Sequence, residues 1–226
     1  MNIFVIDNSL LYIGKVSTDH IKQFDHSYDW VHILESYKRY VGKDAVVLDI
    51  GSSSWIKSRQ LSQYCRKLIG LELFTERMLK NFGNVEFKQG DWQNLSSYFC
   101  ENSIDVIITS HVIEHVKDDV KALNEAFSVL KKGGILLIST PNRNRIAQLL
   151  IQLIKGKRKF PFWEHEREYV KKDLLSLIKR SSFKNSQYAI KGLVFGLHGG
   201  LIWAYLKKFP KFLEPFCGFW ELIILK

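Results

Sequence analysis

The decapeptide Ala45-Val46-Val47-Leu48-Asp49-Ile50-Gly51-Ser52-Ser53-Ser54 constrains this chain more than any other stretch. A β-branched apolar run ends in an acid, and a Gly/Ser loop follows at once. Such a run reads as a strand buried on both faces, as strands of parallel sheets are. Gly51 permits a backbone conformation, and a close approach to a ligand, that a Cβ would obstruct. The serines keep the loop small and polar, and Ile56 to Tyr64 reads as the helix after it. Strand, tight loop and helix in that order bring a strand's carboxyl end to a small ligand.

The run heads a series. Lys67-Leu68-Ile69-Gly70-Leu71 ends in Glu72, Val85 to Gly90 ends in Asp91, and Ile104 to Thr109 ends near Ser110 and His111. Helical or mixed polar segments separate them, which is the β-α-β-α rhythm of an open parallel sheet. An acid roughly 20 residues after a glycine loop suits the two hydroxyls of a ribose, since a carboxylate accepts from both. An acid at the next strand end can receive an adenine amino group.

Five segments carry a resemblance: VVLDIGSSS at 46–54, LIGLEL at 68–73, FKQGDWQNL at 87–95, IDVIITSHVIEHV at 104–116 and LKKGGILLISTPNR at 130–143. In order and spacing the chain resembles a class I S-adenosylmethionine-dependent methyltransferase, of the type found in ubiquinone and cell-surface polysaccharide biosynthesis. The likeness continues more loosely through EHEREYVKKDLLSLIKRSSF at 164–183 to ELIILK at 221–226. It implies an α/β, Rossmann-like methyltransferase fold: a mostly parallel seven-stranded sheet with an antiparallel last strand. There is one departure. Ser53 stands where the family's D-x-G-x-G loop has its second glycine, and Trp55 replaces a third small residue.

The resemblance assigns expected roles. Asp49, Gly51 and Ser53 fall to the methionine end of the cofactor, Glu72 with Leu73 to the ribose, and Asp91 with the Trp92 backbone to the adenine. For Asp91 the competing role is a helix N-cap. His111 points at the transferred methyl as a base or substrate contact, or closes the adenosyl pocket structurally. His165 and Tyr169 match an H-x-x-E-Y segment that approaches the acceptor; a self-paired charged loop is the alternative. His111 to His115 also spells H-x-x-E-H, a zinc-peptidase pattern. That pattern needs a helix presenting both histidines, whereas a strand ends here at Thr109 and no third ligand is evident, so no metal is expected.

The chain's 226 residues fit one domain. The expected layout has an N-terminal extension and helix over 1–41, with 1–16 hairpin-like, and a core from Val46 to Pro141. An acceptor-side insertion follows over 142–170, with a helix at 145–155. After it come a helix at 171–180 and strands at 188–195 and 222–225, an antiparallel edge pair joined by an aromatic, basic stretch at 201–220. Three cysteines, none in a C-x-x-C pair, suit reduced thiols in a cytoplasmic protein. Gly192 to Leu206 is the most membrane-like run, but it is shorter than the roughly 20 residues of a spanning helix. The formal charge of +10 admits nucleic acid, anionic lipid or a phosphorylated substrate. Without an appended RNA-binding module, nucleic acid ranks below a small-molecule, sugar or lipid-linked acceptor. The lysines and aromatics at 155–163 and 201–220 suggest peripheral contact with an anionic membrane. Two alternatives stay open: a cofactor-binding scaffold with degraded catalysis, and an RNA methyltransferase.

Overall fold

Among the described residues the apolar runs form ten strands: β1 (Leu11–Lys15), β2 (Val46–Ile50), β3 (Lys67–Glu72), β4 (Val85–Gln89), β5 (Ile104–Ser110), β6 (Leu130–Pro141), β7 (Gln187–Leu193), β8 (Phe195–Gly199), β9 (Ile202–Leu206) and β10 (Phe219–Leu225). They come from a computed structural model that describes residues 11–15, 34–52, 55–77, 79–156, 165–199, 202–206 and 208–226. Seven strands make one sheet in the order β4-β3-β2-β5-β6-β10-β7. β4, β3, β2, β5 and β6 run parallel. β10 lies antiparallel between β6 and β7. The expected sheet is therefore present, with β7 as the edge strand.

Strand alternation divides the core into two layers. Leu48, Ile50, Ile69, Leu71, Ile107, Leu136 and Ile138 pack on one face with Leu123 and Ala126 of the helix Asp119–Val129 and with Leu174 and Leu177 of the helix Lys171–Arg180. Val47, Leu68, Phe87, Val106, Ile108 and Leu137 pack on the other with Tyr37, Val41 and Leu61. Tyr37 belongs to a helical stretch at 34–38, and its hydroxyl donates to the Thr109 carbonyl at 3.1 Å, holding that stretch to the carboxyl end of β5.

The chain winds outward from β2 to β3 and β4, then returns to the other side of β2 for β5 and β6. The reversal opens a crevice beyond the carboxyl ends of β2 and β5, where open α/β sheets take ligands. A shallow basin lined by Gly42, Lys43, Asp44, Lys131 and Gly133 lies at the other end of the same strands, away from that crevice.

At the chain's flanks, most of the hairpin-like extension expected over 1–16 lies outside the described residues, and its described part, β1, pairs antiparallel with β9, Leu11 opposite Leu206. The stretch 201–220 is not a plain connection: β9 also pairs with β8, making a three-stranded sheet β1-β9-β8, and a 3-10 helix follows at Lys211–Phe216. Apolar alternation is what a strand needs, and neither segment shows which distant strand would satisfy its edge. Residues 1–10 and 16–33 lie outside the described residues. The expected helices appear at Trp55–Ser62, Ile146–Lys155 and Lys171–Arg180.

Candidate active site

Asp49 stands on β2 just before its end and is fully buried. The helix after the glycine loop supplies its partner: Lys57 Nζ lies 2.7 Å from Asp49 Oδ1, and the lysine side chain is 9% exposed. The same ammonium approaches the Gly51 carbonyl at 3.5 Å. Burial pushes the Asp49 carboxyl up, Lys57 pulls it back down, and nearby Glu72 pushes it up again. Lys57 thus ties the strand end, the loop and the following helix together.

Gly51 adopts φ +74°, and a Cβ there would come within 2.4 Å of Val112 Cγ2. Its amide donates to the Leu71 carbonyl at 2.8 Å. The loop is therefore clamped between the end of β3 and the segment after β5, and only glycine fits both the backbone angle and the space. Gly70 serves the same closeness, since a Cβ on it would meet Ser52 Oγ at 2.5 Å. Ser53 lies outside the described residues.

Glu72 ends β3 and is buried to 6% exposure. Its Oε1 accepts from the amides of Leu73 at 3.0 Å and Phe74 at 3.4 Å, which fixes the carboxylate at the strand end. Leu73 and Phe74 are themselves exposed, an apolar step beside the acid. Asp91 follows β4 as the N-cap of the 3-10 helix Trp92–Ser97, accepting from Gln93 N at 2.8 Å. The capping role is therefore real and occupies Oδ1, while the Gln93 side-chain amide donates more loosely to Oδ2 at 3.3 Å. Trp92 is buried in the core.

His111 follows β5 with φ +56°, a left-handed conformation that is uncommon for a residue bearing a Cβ. Its amide donates to Ser139 O at 3.0 Å, and its ring meets the Phe219 ring edge-on at 4.9 Å. Its Nδ1 lies 3.4 Å from Glu114 Oε1. Glu114 is fully buried, and Thr140 Oγ1 donates to its Oε2 at 3.0 Å.

His165 joins this end of the sheet because the amides of Glu166 and Arg167 donate to the Glu114 carbonyl at 2.8 and 3.2 Å. The His165 and His115 rings meet edge-on at 4.8 Å. His165 Nδ1 lies 3.0 Å from Glu168 Oε1, and Arg145 grips the same carboxylate through two nitrogens at 2.6 and 3.2 Å. Burial opposes the charge on Glu168, but His165 and Arg145 outweigh it and hold the carboxyl below its usual range. Tyr169 has a different place. Its buried hydroxyl reaches Asp119 Oδ2 at 3.1 Å, and burial, then Asp119, raises its pKa. The structure puts Tyr169 into the packing rather than at an open acceptor face.

Asp49, Gly51, Glu72, Asp91 and His111 are thus brought to adjacent strand ends. Lys57, Val112, Glu168 and Arg145 complete the site without having been singled out from the sequence. Glu168 could have been suspected from the charged run EHEREY, whereas Arg145 lies 23 residues upstream with no local mark of that pairing.

A family model described as a methyltransferase domain matches residues 63–196. The chain belongs to the methyltransferase domain family. A probable S-adenosylmethionine-dependent methyltransferase of Mycolicibacterium smegmatis is 32% identical over 108 residues, 46% of this chain and 40% of that protein. A ubiquinone biosynthesis O-methyltransferase of Pseudomonas fluorescens is 29% identical over 110 residues, 46% of this chain and 47% of its own. The chain therefore spans less than half the length of these curated relatives. Among solved structures, the YcgJ protein of Bacillus subtilis superposes with a TM-score of 0.64 at 17% identity, over 87% of this chain and 98% of that one. An S-adenosylmethionine-dependent methyltransferase of Archaeoglobus fulgidus gives 0.61 at 14%, over 92% and 100%. At such identities these structures speak for the fold alone.

S-adenosylmethionine is the cofactor this family implies, and the residues present fit it. Asp49 Oδ2 and Ser52 Oγ are buried beside the glycine loop without a hydrogen bond among the described residues. Polar groups so placed call for a ligand or water. Loop, ribose acid and apolar step lie in the order the cofactor's three parts require.

Proposed function

We propose that the protein transfers a methyl group from S-adenosylmethionine to a small-molecule, sugar or lipid-linked acceptor. The observation that carries this is the row of polar groups at consecutive strand ends: Asp49 and the Gly51 loop, then Glu72, then Asp91. Asp49 and Lys57 hold the loop in shape for the methionine portion. Glu72, pinned by two backbone amides, presents its other oxygen to the ribose hydroxyls. Asp91, with Oδ1 committed to its cap, offers Oδ2, which Gln93 Nε2 approaches at only 3.3 Å, with the Trp92 backbone to the adenine edge.

The bound sulfonium supplies an electrophilic methyl and a good leaving group. The chain's own task is to aim a nucleophile in line with that methyl and to keep water out. His111 stands on the reversal side of β2, at the carboxyl end of β5, where an acceptor would enter. Glu114 beneath it favours Nδ1 as the protonated nitrogen, so that Nε2 can take a proton from an acceptor hydroxyl.

A hydrophobic acceptor is favoured within this class. Leu153 and Ile154 on the helix Ile146–Lys155 are 80% and 81% exposed, and Phe212 is 75% exposed. Exposed large side chains on neighbouring acceptor-side segments suit an apolar substrate tail or a lipid surface. Among the described residues no helix is long and apolar enough to cross a membrane. Four matched relatives are named ubiquinone biosynthesis O-methyltransferases, which supports oxygen as the acceptor atom. The basic residues 157–159, expected at a membrane contact, lie outside the described residues.

Calorimetry with S-adenosylhomocysteine tests the reading. Wild type should bind one equivalent, and Glu72→Ala should lose about 1.5–3 kcal/mol, the worth of hydrogen bonds to a charged group. Absence of binding by the pure wild type would leave only a scaffold.

A further inference from the structure

We propose that Glu114, His115 and His165 form a binding site for one divalent transition-metal ion. One ligand atom from each of these residues lies within 4.8 Å of the others, and no other group of this kind occurs among the described residues. The sequence pointed away from metal because H-x-x-E-H lacked a helix presenting both histidines and lacked a third ligand. The structure agrees on the first point. His111 is left-handed and precedes the 3-10 turn Ile113–His115, so His111 and His115 do not share a zinc-peptidase helix. It supplies the third ligand from elsewhere, since His165 arrives fifty residues later through the backbone bonds to Glu114 O.

Three features beyond proximity point to an ion. First, Glu114 is fully buried; Thr140 holds its Oε2, and its Oε1 has no hydrogen bond among the described residues, only the longer 3.4 Å approach of His111 Nδ1. A buried carboxylate requires a cation or a proton. Second, His165 gives Nδ1 to Glu168, and Arg145 orients Glu168 in turn. A carboxylate behind an imidazole fixes its tautomer and aims the other nitrogen outward, the arrangement that supports metal-ligating histidines. Third, His115 is exposed, so the site has an entry path for the ion.

Two imidazoles and one carboxylate favour zinc, cobalt, manganese or iron over magnesium and calcium, which prefer all-oxygen shells. Three protein ligands leave coordination positions open, as in sites that bind water or substrate. Glu114 Oε1 also lies 3.4 Å from His111 Nδ1, which sets the cluster beside the carboxyl end of β5. Resting on the methyl-transfer reading, the ion there would take an acceptor oxygen and lower the pKa of its hydroxyl. The metal site itself does not depend on that reading.

Untagged, chelator-treated protein titrated with Co2+ should develop visible absorption that saturates at one equivalent and is displaced by Zn2+. His115→Ala, at an exposed position, and His165→Ala should each weaken Co2+ binding at least tenfold. Glu168→Gln should weaken it about 10- to 100-fold without touching the ion, as loss of an outer partner does. Circular dichroism on each variant separates ligand loss from unfolding. S-adenosylhomocysteine binding measured in EDTA should match that of untreated protein, so failure of the cofactor reading and failure of the metal site show separately. No saturable Co2+ binding to the wild type would overturn the proposal. So would one equivalent bound equally well by folded His115→Ala and His165→Ala proteins.

Discussion

The Asp49–Lys57 pair offers the sharpest test of how this site is built. Lys57→Met keeps the length of the side chain and removes the ammonium. At 2.7 Å and an effective dielectric of 20, the two charges attract by about 6 kcal/mol. Much of that repays the cost of burying both, but removing one partner leaves a carboxylate at zero exposure without compensation. The expected loss of stability is about 3–5 kcal/mol. With an m-value of about 2 kcal/mol per molar urea, the unfolding midpoint should fall by about 2 M. The loss should also depend on pH in one direction. Burial already raises the Asp49 pKa, and Lys57 is the main group opposing that rise. Without Lys57 the folded-state pKa climbs further above the unfolded value of about 3.9. The variant is then penalised least in acid, and the penalty grows as pH rises from about 4 towards the new folded pKa. Asp49→Asn combined with Lys57→Met should recover a good part of the loss, because no lone charge is left buried. A Lys57→Met protein within about 1 kcal/mol of wild type, or a double variant whose loss is the sum of the singles, would refute the claim that this is a buried, coupled pair.

Four further outcomes follow from other parts of the molecule. Gly51→Ala places a Cβ at φ +74° and within 2.4 Å of Val112; calorimetry should show cofactor binding weakened at least tenfold, and Val112→Ala should restore part of it. Asp105 accepts from Val46 N at 2.9 Å and pairs with Lys131 at 2.7 Å, which together outweigh burial and lower its pKa. Its stabilisation is therefore present above the unfolded pKa of about 3.9 and lost as pH falls through the folded value, so Asp105→Asn should flatten the acid limb of urea-derived stability. Burial raises the Cys65 thiol to about 11 and the Cys217 thiol to about 12, whereas Cys100 is exposed; Ellman's reagent should react quickly with one thiol in the native protein and with three after denaturation. If the exposed helix face meets lipid, Leu153→Asp with Ile154→Asp should reduce sedimentation with anionic vesicles while cofactor binding holds, and equal sedimentation of the two proteins would remove the lipid surface.

What the sequence made legible was whatever depends on local pattern. The strands β2, β3 and β5 announce themselves because apolar residues dominate each, and the polar ones gather at or near the strand ends. Burial on both faces of a parallel sheet demands that composition. Glu72 and Asp91 could be located for the same reason, since a strand end is a position along the chain. Partners set by packing were not legible. Lys57 is one lysine in a helix of mixed residues, and only the folded chain brings it within 2.7 Å of Asp49. β1 carries no mark of β9, nearly two hundred residues away, because one apolar edge can pair with many others.

The H-x-x-E-H segment shows how a correct local reading can miss a distant one. The strand runs to Ser110, one residue past the expected end, and a 3-10 turn follows at Ile113–His115, so no metallopeptidase helix carries the segment. Yet the question that decides metal binding is whether a third donor comes near, and that answer lies at His165, delivered by two backbone hydrogen bonds to Glu114 O. Sequence spacing predicts ligand sets only where all donors share one element. Here the donors come from a 3-10 turn and from the loop that leads to the helix Lys171–Arg180. Tyr169 makes the converse point: it lies four residues from His165 in a motif that suggested a shared task, but the chain turns its hydroxyl into the core to Asp119. Of that motif, the histidine and Glu168 pair with each other at 3.0 Å, and the tyrosine anchors the segment in the packing.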